Sequence, residues 1–376
     1  MGNFFDTTPV SKSAVRERLE RLEEGLSPYA SRSNRSLGRE RPETPSPMRT
    51  EFQRDRDRII HTKAFRRLMH KTQVFIAPAG DHYVTRLTHT LEVAQIGRTI
   101  ARALNLNEDL VEAMALGHDL GHTPFGHIGE ETLDQLSESG FVHSAHSLRI
   151  VERLEKNGRG LNLTWEVRQG IVSHSKSRGD FLAADPVESL TLEAQVLRLA
   201  DSVAYLNHDI ADASRAGILA TSDLPHEVRR TLGTAHSQRV NTLVSDIVNA
   251  SWAASGAASG VDPPEADPGG GPPTITMSPR TRAAMVLLRE FMFERVYLPL
   301  GRTEEAEVAR DIVRLLYHYF ASNPEEVPPP YFGQGSAPGQ AAVDFVAGMT
   351  DHYAIRLAER LRTGISRGAF ARVPLV

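Results

Sequence analysis

Residues 107–131, NEDLVEAMALGHDLGHTPFGHIGEE, combine the pattern of a helix with an abrupt end to that pattern. Asn107 is a favourable N-cap, and the two acids after it lie where the helix dipole favours negative charge. Apolar residues then recur at helical spacing until Gly121 and Pro124, which both disfavour a continuing helix. We therefore predict a helix over 107–120.

The end of this helix is crowded with titratable side chains. Three histidines and three carboxylates occur within 118–131. His118 and Asp119 fall in the last predicted turn, where adjacent residues of a regular helix point about 100° apart. A shared divalent cation would explain both residues, because imidazole nitrogens and carboxylate oxygens are metal ligands. The dipeptide alone is weak evidence, since a buried histidine is more often only hydrogen-bonded.

Two other segments supply partners for this pair. Residues 86–104 show helical spacing of apolar side chains, which places His89 within a helix. Residues 185–217 open with Asp185 as N-cap and a proline at the first helical position, a strong helix start. Three residues of this helix are spaced by four and share one face: Asp201, Tyr205 and Asp209. A metal site at His118 and Asp119 needs further ligands, and His89 and Asp201 are the best placed.

The rest of the chain is predicted to be helices joined by loops. Amphipathic helices are indicated over 281–298, 303–320 and 341–361, and the sequence contains no extended strand-like run and no repeat. The fold class is therefore all-α. We divide the chain into an N-terminal helix with an exposed Arg/Pro/Ser-rich arm, a core that carries the candidate site, a flexible linker-like insertion and a C-terminal helical region packed on the core: residues 1–50, 51–250, 251–280 and 281–376.

Composition limits the possible classes of protein. The chain has 376 residues, of which 40% are hydrophobic, enough for a sizeable core. Its net charge of −4, from 43 basic and 47 acidic residues, gives no overall attraction for nucleic acid or anionic membranes. Without cysteine there are no disulfides or thiolate ligands. The sequence shows no signal peptide or membrane span, so we predict a cytoplasmic protein.

Three motifs resemble the H…HD…D signature of the HD-domain phosphohydrolases: RLTHTLEV (86–93), HDLGHTPFGHIGEE (118–131) and ADSVAYLNHDIADA (200–213). Three further segments resemble the deoxyguanosine triphosphate triphosphohydrolase-like branch of that superfamily: 54–75, 146–155 and 344–354. The resemblance extends from about residue 50 to 365, and the combination is far more specific than the HD pair. It implies an all-α HD-domain core with additional C-terminal helices.

The resemblance implies metal-dependent hydrolysis of deoxynucleoside triphosphates such as dGTP to deoxynucleoside and tripolyphosphate. It implies a homo-oligomer and a divalent ion, Mg²⁺ or Mn²⁺. The implied metal ligands are those already expected from the helices: His89, His118, Asp119 and Asp201. The implied catalytic residues are His122, His143 and Glu130, the last at a position where some relatives carry an aspartate that orients the first histidine. The implied substrate contacts are Arg86 for triphosphate, Tyr205 and Asp209 for the sugar, and Gln73 near the 3′ position.

The sequence departs from the family pattern at two positions, with Ser202 where many relatives carry Lys or Arg, and His146 where Gln is common. A basic run consists of Lys63, Arg66, Arg67 and Lys71. Its side chains either contact phosphate or form a solvated helix face. Structural roles are favoured for three histidines: His82, His127 and His174. Core packing is favoured for four aromatic residues: Trp165, Phe291, Phe293 and Tyr297.

Two other functions compete with the triphosphohydrolase. One is a different HD-superfamily enzyme acting on nucleoside monophosphates or cyclic dinucleotides, against which the complete set of implied substrate and catalytic residues argues. The other is a regulatory nucleic-acid-binding protein with a relic site. The acidic net charge disfavours nucleic acid as a partner or regulator, whereas the arginine-rich segment 32–41 favours it.

Overall fold

A computed structural model of the chain describes residues 14–76, 82–175, 189–256, 273–331 and 337–370. Within these ranges the regular structure is helical, and β pairing is limited to isolated bridges joining Arg39 to Thr164 and Thr72 to Thr85. The all-α prediction is therefore confirmed. No helix in the described ranges is both long and apolar enough to cross a membrane.

The described residues up to 175 contain nine α-helices: α1 (Ala14–Glu23), α2 (Glu51–Ile60), α3 (Lys63–Arg67), α4 (Arg86–Ala103), α5 (Glu108–Gly117), α6 (Gly126–Leu136), α7 (His143–Arg149), α8 (Glu155–Gly158) and α9 (Trp165–Ser173). The described residues from 189 onward contain eight: α10 (Leu192–Arg215), α11 (His226–Leu232), α12 (His236–Ala250), α13 (Pro279–Met292), α14 (Leu298–Leu300), α15 (Glu304–Ser322), α16 (Pro338–Ala347) and α17 (Asp351–Leu361).

Short 3₁₀ and π segments join or extend these helices. The 3₁₀ turns are Ser33–Arg35, Leu68–His70, Thr221–Asp223, Trp252–Ser255 and Pro324–Glu326. The π turns are Ile150–Leu154, which follows α7, and Phe293–Tyr297, which joins α13 to α14.

The helix that carries the HD pair begins where the sequence predicts. The Asn107 side chain accepts a hydrogen bond from the Leu110 backbone N–H and caps α5. The helix ends at Gly117, earlier than predicted, so His118 is its C-cap and Asp119 lies in the following turn. His118 therefore keeps helical backbone angles, whereas Asp119 lies beyond the regular helix.

The long helix α10 begins later than predicted. Its N-cap is Thr191, whose side chain accepts a hydrogen bond from the Ala194 N–H, and Asp185 lies outside the described residues. The single helix predicted over 341–361 is instead two helices, α16 and α17. Thr350 lies between them with an extended backbone and caps α17 separately.

Two hydrophobic cores hold the helices together. In the first, α4 packs against α5 and α10, and α5 also packs against α2. In the second, α15 packs against α16, α17 and α6. In the predicted C-terminal region, α13 contributes Met285 and Leu288 to the first core.

The predicted linker, 251–280, is anchored at both described ends. Ala254 is fully buried before the gap at 257–272, and Ile275 and Met277 are buried after it. These apolar residues join the first core. The two described ends of the predicted linker are therefore packed, although their composition predicted flexibility.

The arginine-rich segment 27–50 is irregular as predicted, but it lies against the core. Arg39 donates hydrogen bonds to the carboxylates of Glu51, at 2.7 Å, and Asp55. Asp55 is fully buried and also accepts from the Thr164 backbone N–H and hydroxyl, both at 2.7 Å. The buried ion pair thus anchors the segment at Arg39, while residues 40–45 and 47–49 are exposed.

This ion pair should be important for stability. We predict that Arg39→Met lowers the free energy of unfolding by roughly 3 to 5 kcal/mol, because it leaves the Asp55 carboxylate buried without its cation. Denaturant unfolding followed by circular dichroism measures the change. The control is Arg49→Met, which removes a half-exposed partner of Asp57 and should cost less than about 1 kcal/mol. Equal losses in the two variants would contradict the prediction.

Candidate active site

The turn between α5 and α6 brings its backbone unusually close to α7. A Cβ atom on Gly121 would lie 2.3 Å from both the His143 carbonyl oxygen and the Ser147 nitrogen, so only glycine fits. The Ser147 hydroxyl accepts from the Gly121 N–H at 2.8 Å and donates to the His118 carbonyl at 2.6 Å. These contacts place residues 118–125, called the HD turn below, directly against the helix that carries His143.

The carboxylate of Asp119 lies at the centre of the site. Its Oδ2 accepts a hydrogen bond from Arg86 Nη1 at 2.8 Å, and its Oδ1 lies 3.3 Å from His118 Nε2 and 3.2 Å from His122 Nε2. His89 Nε2 lies 3.7 Å from Asp119 Oδ2 and 3.4 Å from Asp201 Oδ1. Three of the four residues expected as metal ligands, His89, His118 and Asp119, thus lie within ligand distance of one another, and Asp201 of α10 joins them through its contact with His89.

Burial and charge set the protonation of these groups. Burial alone would raise the pKa of Asp119, but His118, His122 and Arg86 outweigh it and hold that pKa well below its ordinary value. Burial lowers the pKa of His89, and burial with the nearby Arg86 lowers the pKa of His122 well below its ordinary value. The carboxylate is therefore charged and these imidazoles are neutral at neutral pH, the forms that ligate metals.

The hydrogen bonds of His118 test whether a cation fits here. Its Nδ1 lies 2.6 Å from the Ala115 carbonyl oxygen and must carry the proton, which leaves a lone pair on Nε2. That Nε2 is buried and has no hydrogen-bond partner among the described residues. It faces a carboxylate oxygen of Asp119, and two lone pairs 3.3 Å apart repel unless a cation lies between them. The residues therefore fit a divalent ion.

A second group of histidines lies beside this set. The rings of His122 and His143 stack with centroids 3.9 Å apart. Glu130 Oε1 lies 2.7 Å from His143 Nδ1, whereas its Oε2 lies 4.0 Å from His122 Nδ1. Glu130 is therefore within hydrogen-bond distance of His143 and farther from His122. His143 Nε2 in turn lies 3.1 Å from Nε2 of His174.

Both groups open into one cavity of about 580 Å³. The four residues expected to contact substrate line it: Gln73, Arg86, Tyr205 and Asp209. Arg86 is almost fully buried and already paired with Asp119, and the Oε1 of Gln73 is buried without a hydrogen-bond partner in the described structure.

The cavity lining also includes histidines, aromatic residues and arginines. The sequence favoured structural roles for four of these residues, His127, His174, Phe293 and Tyr297, and did not indicate three arginines, Arg289, Arg302 and Arg310. Three of these, Arg289, Phe293 and Tyr297, are spaced by four and share a face across the end of α13 and the π turn. In the sequence, a cation and two aromatic rings at that spacing were the signal that could have indicated a binding surface. The Tyr297 hydroxyl donates to Asp209 Oδ2 at 2.7 Å.

The basic run between α2 and α4 does not line the cavity. Arg67 donates to the Tyr331 hydroxyl at 3.0 Å and to the Gly348 carbonyl at 2.9 Å. Lys71 is fully buried, and its Nζ donates to the carbonyls of Ala347, at 2.8 Å, and His122. Burial, together with Arg67, lowers the pKa of Lys71 to about 7. Lys71 therefore joins the HD turn to the end of α16, and Arg67 contacts the residue that follows α16.

The C-terminal helices support the HD turn through a carboxylate as well. Asp351, at the start of α17, accepts hydrogen bonds from the backbone N–H groups of Phe125 and Thr72, both at 3.0 Å. Phe125 has a left-handed backbone with φ of 63°, a conformation that needs such outside support.

The two departures from the family pattern have different structural settings. Ser202 is buried on α10, and its hydroxyl donates to the Arg198 carbonyl at 3.2 Å. His146 is buried on α7, with Nδ1 lying 3.1 Å from the Gly121 carbonyl and Nε2 lying 3.5 Å from Asp344. His146 is thus a further link between the HD turn and α16.

Comparison with known proteins agrees with this arrangement. The HD domain family model matches residues 86–206, and the phosphohydrolase-associated domain model matches residues 275–360. A deoxyguanosinetriphosphate triphosphohydrolase-like protein from Caldanaerobacter subterraneus subsp. tengcongensis is 50% identical, with 91% of this chain and 94% of that protein covered. The chain belongs to the deoxyguanosinetriphosphate triphosphohydrolase-like family of HD-domain phosphohydrolases.

Two other members of the deoxyguanosinetriphosphate triphosphohydrolase-like family show the same extent of similarity. The relative from Desulfatibacillum aliphaticivorans is 45% identical, covering 92% of this chain and 97% of its own. The relative from Clostridium tetani is 43% identical, covering 93% and 96%. Among solved structures, a hypothetical protein from Aquifex aeolicus has a TM-score of 0.46 and 18% identity, covering 85% of this chain and 70% of its own.

The site geometry predicts how this family member binds metal. We expect His118→Ala to abolish binding of Mn²⁺ while the helical content stays unchanged, because the ring is a ligand and the helices are held by apolar packing. Titration calorimetry measures binding, and circular dichroism measures helix. His70→Ala, which alters an exposed histidine outside the cavity, is the control. Undiminished binding by His118→Ala would remove His118 from the ligand set.

Proposed function

We propose that the protein hydrolyses deoxynucleoside triphosphates such as dGTP to deoxynucleoside and tripolyphosphate. One observation carries the proposal: a single cavity contains the His/Asp set at Asp119 and, one and two turns along α10 from Asp201, the side chains of Tyr205 and Asp209. These helical turns span ~6 to 12 Å, the distance from an α-phosphate to the far side of its sugar. The names of the relatives support the same reaction.

The divalent ion proposed here would be held by His89, His118, Asp119 and Asp201. When bound, such an ion supplies polarisation of a phosphate oxygen. Mg²⁺ and Mn²⁺ are the ions proposed, because carboxylate ligands suit both and the family resemblance implies them. Arg86 lies against Asp119 and would neutralise charge on the triphosphate.

The cavity is also lined by cations from a part of the chain distant from the HD turn. They are Arg289, Arg302 and Arg310, all from the segment 289–310. Four negative charges on a triphosphate require several positive groups around them. These arginines can supply the charge that Ser202 does not.

The stacked pair of His122 and His143 is proposed to handle the proton. Water attacks the α-phosphorus, the bond from phosphorus to O5′ breaks, and O5′ takes a proton from an imidazole nitrogen. His122 has a pKa well below its ordinary value in the substrate-free protein. A bound triphosphate places negative charge beside this ring, which raises its pKa and favours the protonated acid. Glu130 holds His143 in place through Nδ1.

The first experiment identifies the products. The full chain is incubated with dGTP and Mg²⁺ or Mn²⁺, and the products are separated by ion-exchange chromatography. Tripolyphosphate with deoxyguanosine supports the proposal. Orthophosphate from a nucleoside monophosphate would indicate another HD-superfamily activity, and the absence of any product over a panel of nucleotides would indicate a relic site. The homo-oligomer and the cytoplasmic location remain predictions that this assay does not address.

Fewer arginines are available to bind nucleic acid than the sequence suggested. Arg32 donates to the carbonyls of Ala30, at 3.2 Å, and Leu26, at 3.1 Å, and Arg39 is paired inside the protein. Two arginines of the segment 32–41 are therefore used for internal contacts.

The histidine pair gives a prediction about catalysis. His122→Ala and His143→Ala should each lower kcat by roughly 10²- to 10⁴-fold, the range for a lost general acid or base, while Mn²⁺ stays bound. Steady-state kinetics with dGTP and calorimetric titration of Mn²⁺ give the two readouts, again with His70→Ala as control. Parallel loss of metal and activity would show that these residues hold the metal rather than move a proton.

Tyr205 gives a prediction about the sugar. A tyrosine ring against the 2′ carbon leaves no room for a ribose hydroxyl, so the wild-type protein should prefer dGTP to GTP. Tyr205→Ala should lower the ratio of the two kcat/KM values by roughly 10-fold or more by admitting GTP. Tyr353→Ala, which alters a tyrosine outside the cavity, is the control. If both activities of Tyr205→Ala fall together, the residue only packs.

A further inference from the structure

His208 lies behind the metal set on α10, outside the cavity lining. It is almost fully buried, and its Nε2 lies 2.9 Å from Nδ1 of His89. A buried polar contact between two imidazoles needs one proton between the nitrogens, so one ring donates and the other accepts. The direction of that bond decides which nitrogen of His89 keeps a lone pair.

A divalent ion on His89 would favour the neutral form of His208, and the other side of that ring then indicates the direction of the bond. Its Nδ1 lies 2.8 Å from Oδ1 of Asp209, although the angle between these groups is not that of a straight hydrogen bond. Neither atom has another hydrogen-bond partner among the described residues. A carboxylate oxygen cannot donate, so a proton on Nδ1 of His208 avoids repulsion between two lone pairs. In the neutral ring Nε2 is then the acceptor, and His89 Nδ1 donates to it.

This arrangement leaves the lone pair of His89 on Nε2. That atom lies 3.4 Å from Asp201 Oδ1 and 3.7 Å from Asp119 Oδ2, where the divalent ion is proposed. With the proton on Nε2 instead, His89 could not ligate. Histidine ligands commonly donate their other ring N–H to a carboxylate, which fixes the tautomer and the orientation of the ring. Here a second imidazole stands between the ligand and the carboxylate.

We propose that His208 is a positioning residue for the metal site: with Asp209 it forms an Asp–His–His relay that holds His89 with Nε2 toward the ion. The proposal rests on the proposed metal site, but not on the identity of the substrate. It also gives Asp209 a second role, because Oδ2 of the same carboxylate accepts from the Tyr297 hydroxyl and lies on the cavity wall. The wall proposed to contact the sugar is thereby connected to a metal ligand.

Two substitutions of His208 separate positioning from packing. His208→Leu removes both ring nitrogens, whereas His208→Gln keeps an amide oxygen that can accept from His89 Nδ1. The control is Asn207→Ala, which removes a buried polar side chain at the neighbouring position of α10, where Asn207 accepts from Arg239 at 2.9 Å. Circular dichroism and thermal unfolding identify the variants that are folded.

The readout is the affinity of each full-length variant for Mn²⁺ alone, measured by titration calorimetry. We expect His208→Leu to raise the Kd by roughly 10- to 100-fold, the usual cost of losing such a supporting partner. His208→Gln should recover most of the affinity, and Asn207→Ala should retain it. Nitrogen chemical shifts of labelled histidines in the metal-free protein should show His89 protonated at Nδ1 in the wild type and a mixture of tautomers in His208→Leu.

Three results would overturn the proposal. The first is an unchanged Kd in folded His208→Leu, and the second is an equal loss of affinity in His208→Gln or Asn207→Ala, which would indicate packing alone. The third is a wild-type His89 protonated at Nε2. A wild-type protein that binds Mn²⁺ but does not cleave dGTP would refute the proposed function only, since the measurements on His208 use the metal without nucleotide.

Discussion

The ion pair between Asp119 and Arg86 is the interaction on which the site depends. An isolated carboxylate transferred from water into a protein interior costs several kcal/mol, and this one is only 3% exposed. Arg86 offsets that cost from the first turn of α4, and the neighbouring imidazoles add favourable contacts. The pair therefore fixes α4 against the HD turn, and the histidines that face the carboxylate come from both elements.

The sequence carried much of this arrangement in its helical periodicity and caps. Asn107 as an N-cap and the spacing of Asp201, Tyr205 and Asp209 depend on local geometry alone, so they could be predicted without tertiary information. The cavity wall made by Phe293 and Tyr297 could not, because aromatic residues at helical spacing are equally typical of core packing. Nor could the buried position of Arg39, since an irregular polar segment gives no sign that a buried aspartate lies opposite it.

The two sides of the cavity differ in chemistry and in origin. The HD turn and helices α4, α7 and α10 provide acids and imidazoles, grouped around Asp119, whereas the segment 289–310 provides arginines and aromatic rings. A ligand that satisfies both sides must be strongly anionic at one end and have a flat or apolar part. This complementarity joins residues that are distant along the chain.

The supports of the HD turn extend over a long stretch of chain. Lys71 lies before α4, and Asp351 lies at the start of α17, yet both bond to the backbone of the same short turn. The region that matches the HD domain, 86–206, contains neither residue. The matched region is therefore not self-contained: a fragment cut at its borders would keep each of the four proposed metal ligands and lose two contacts to the turn that carries two of them.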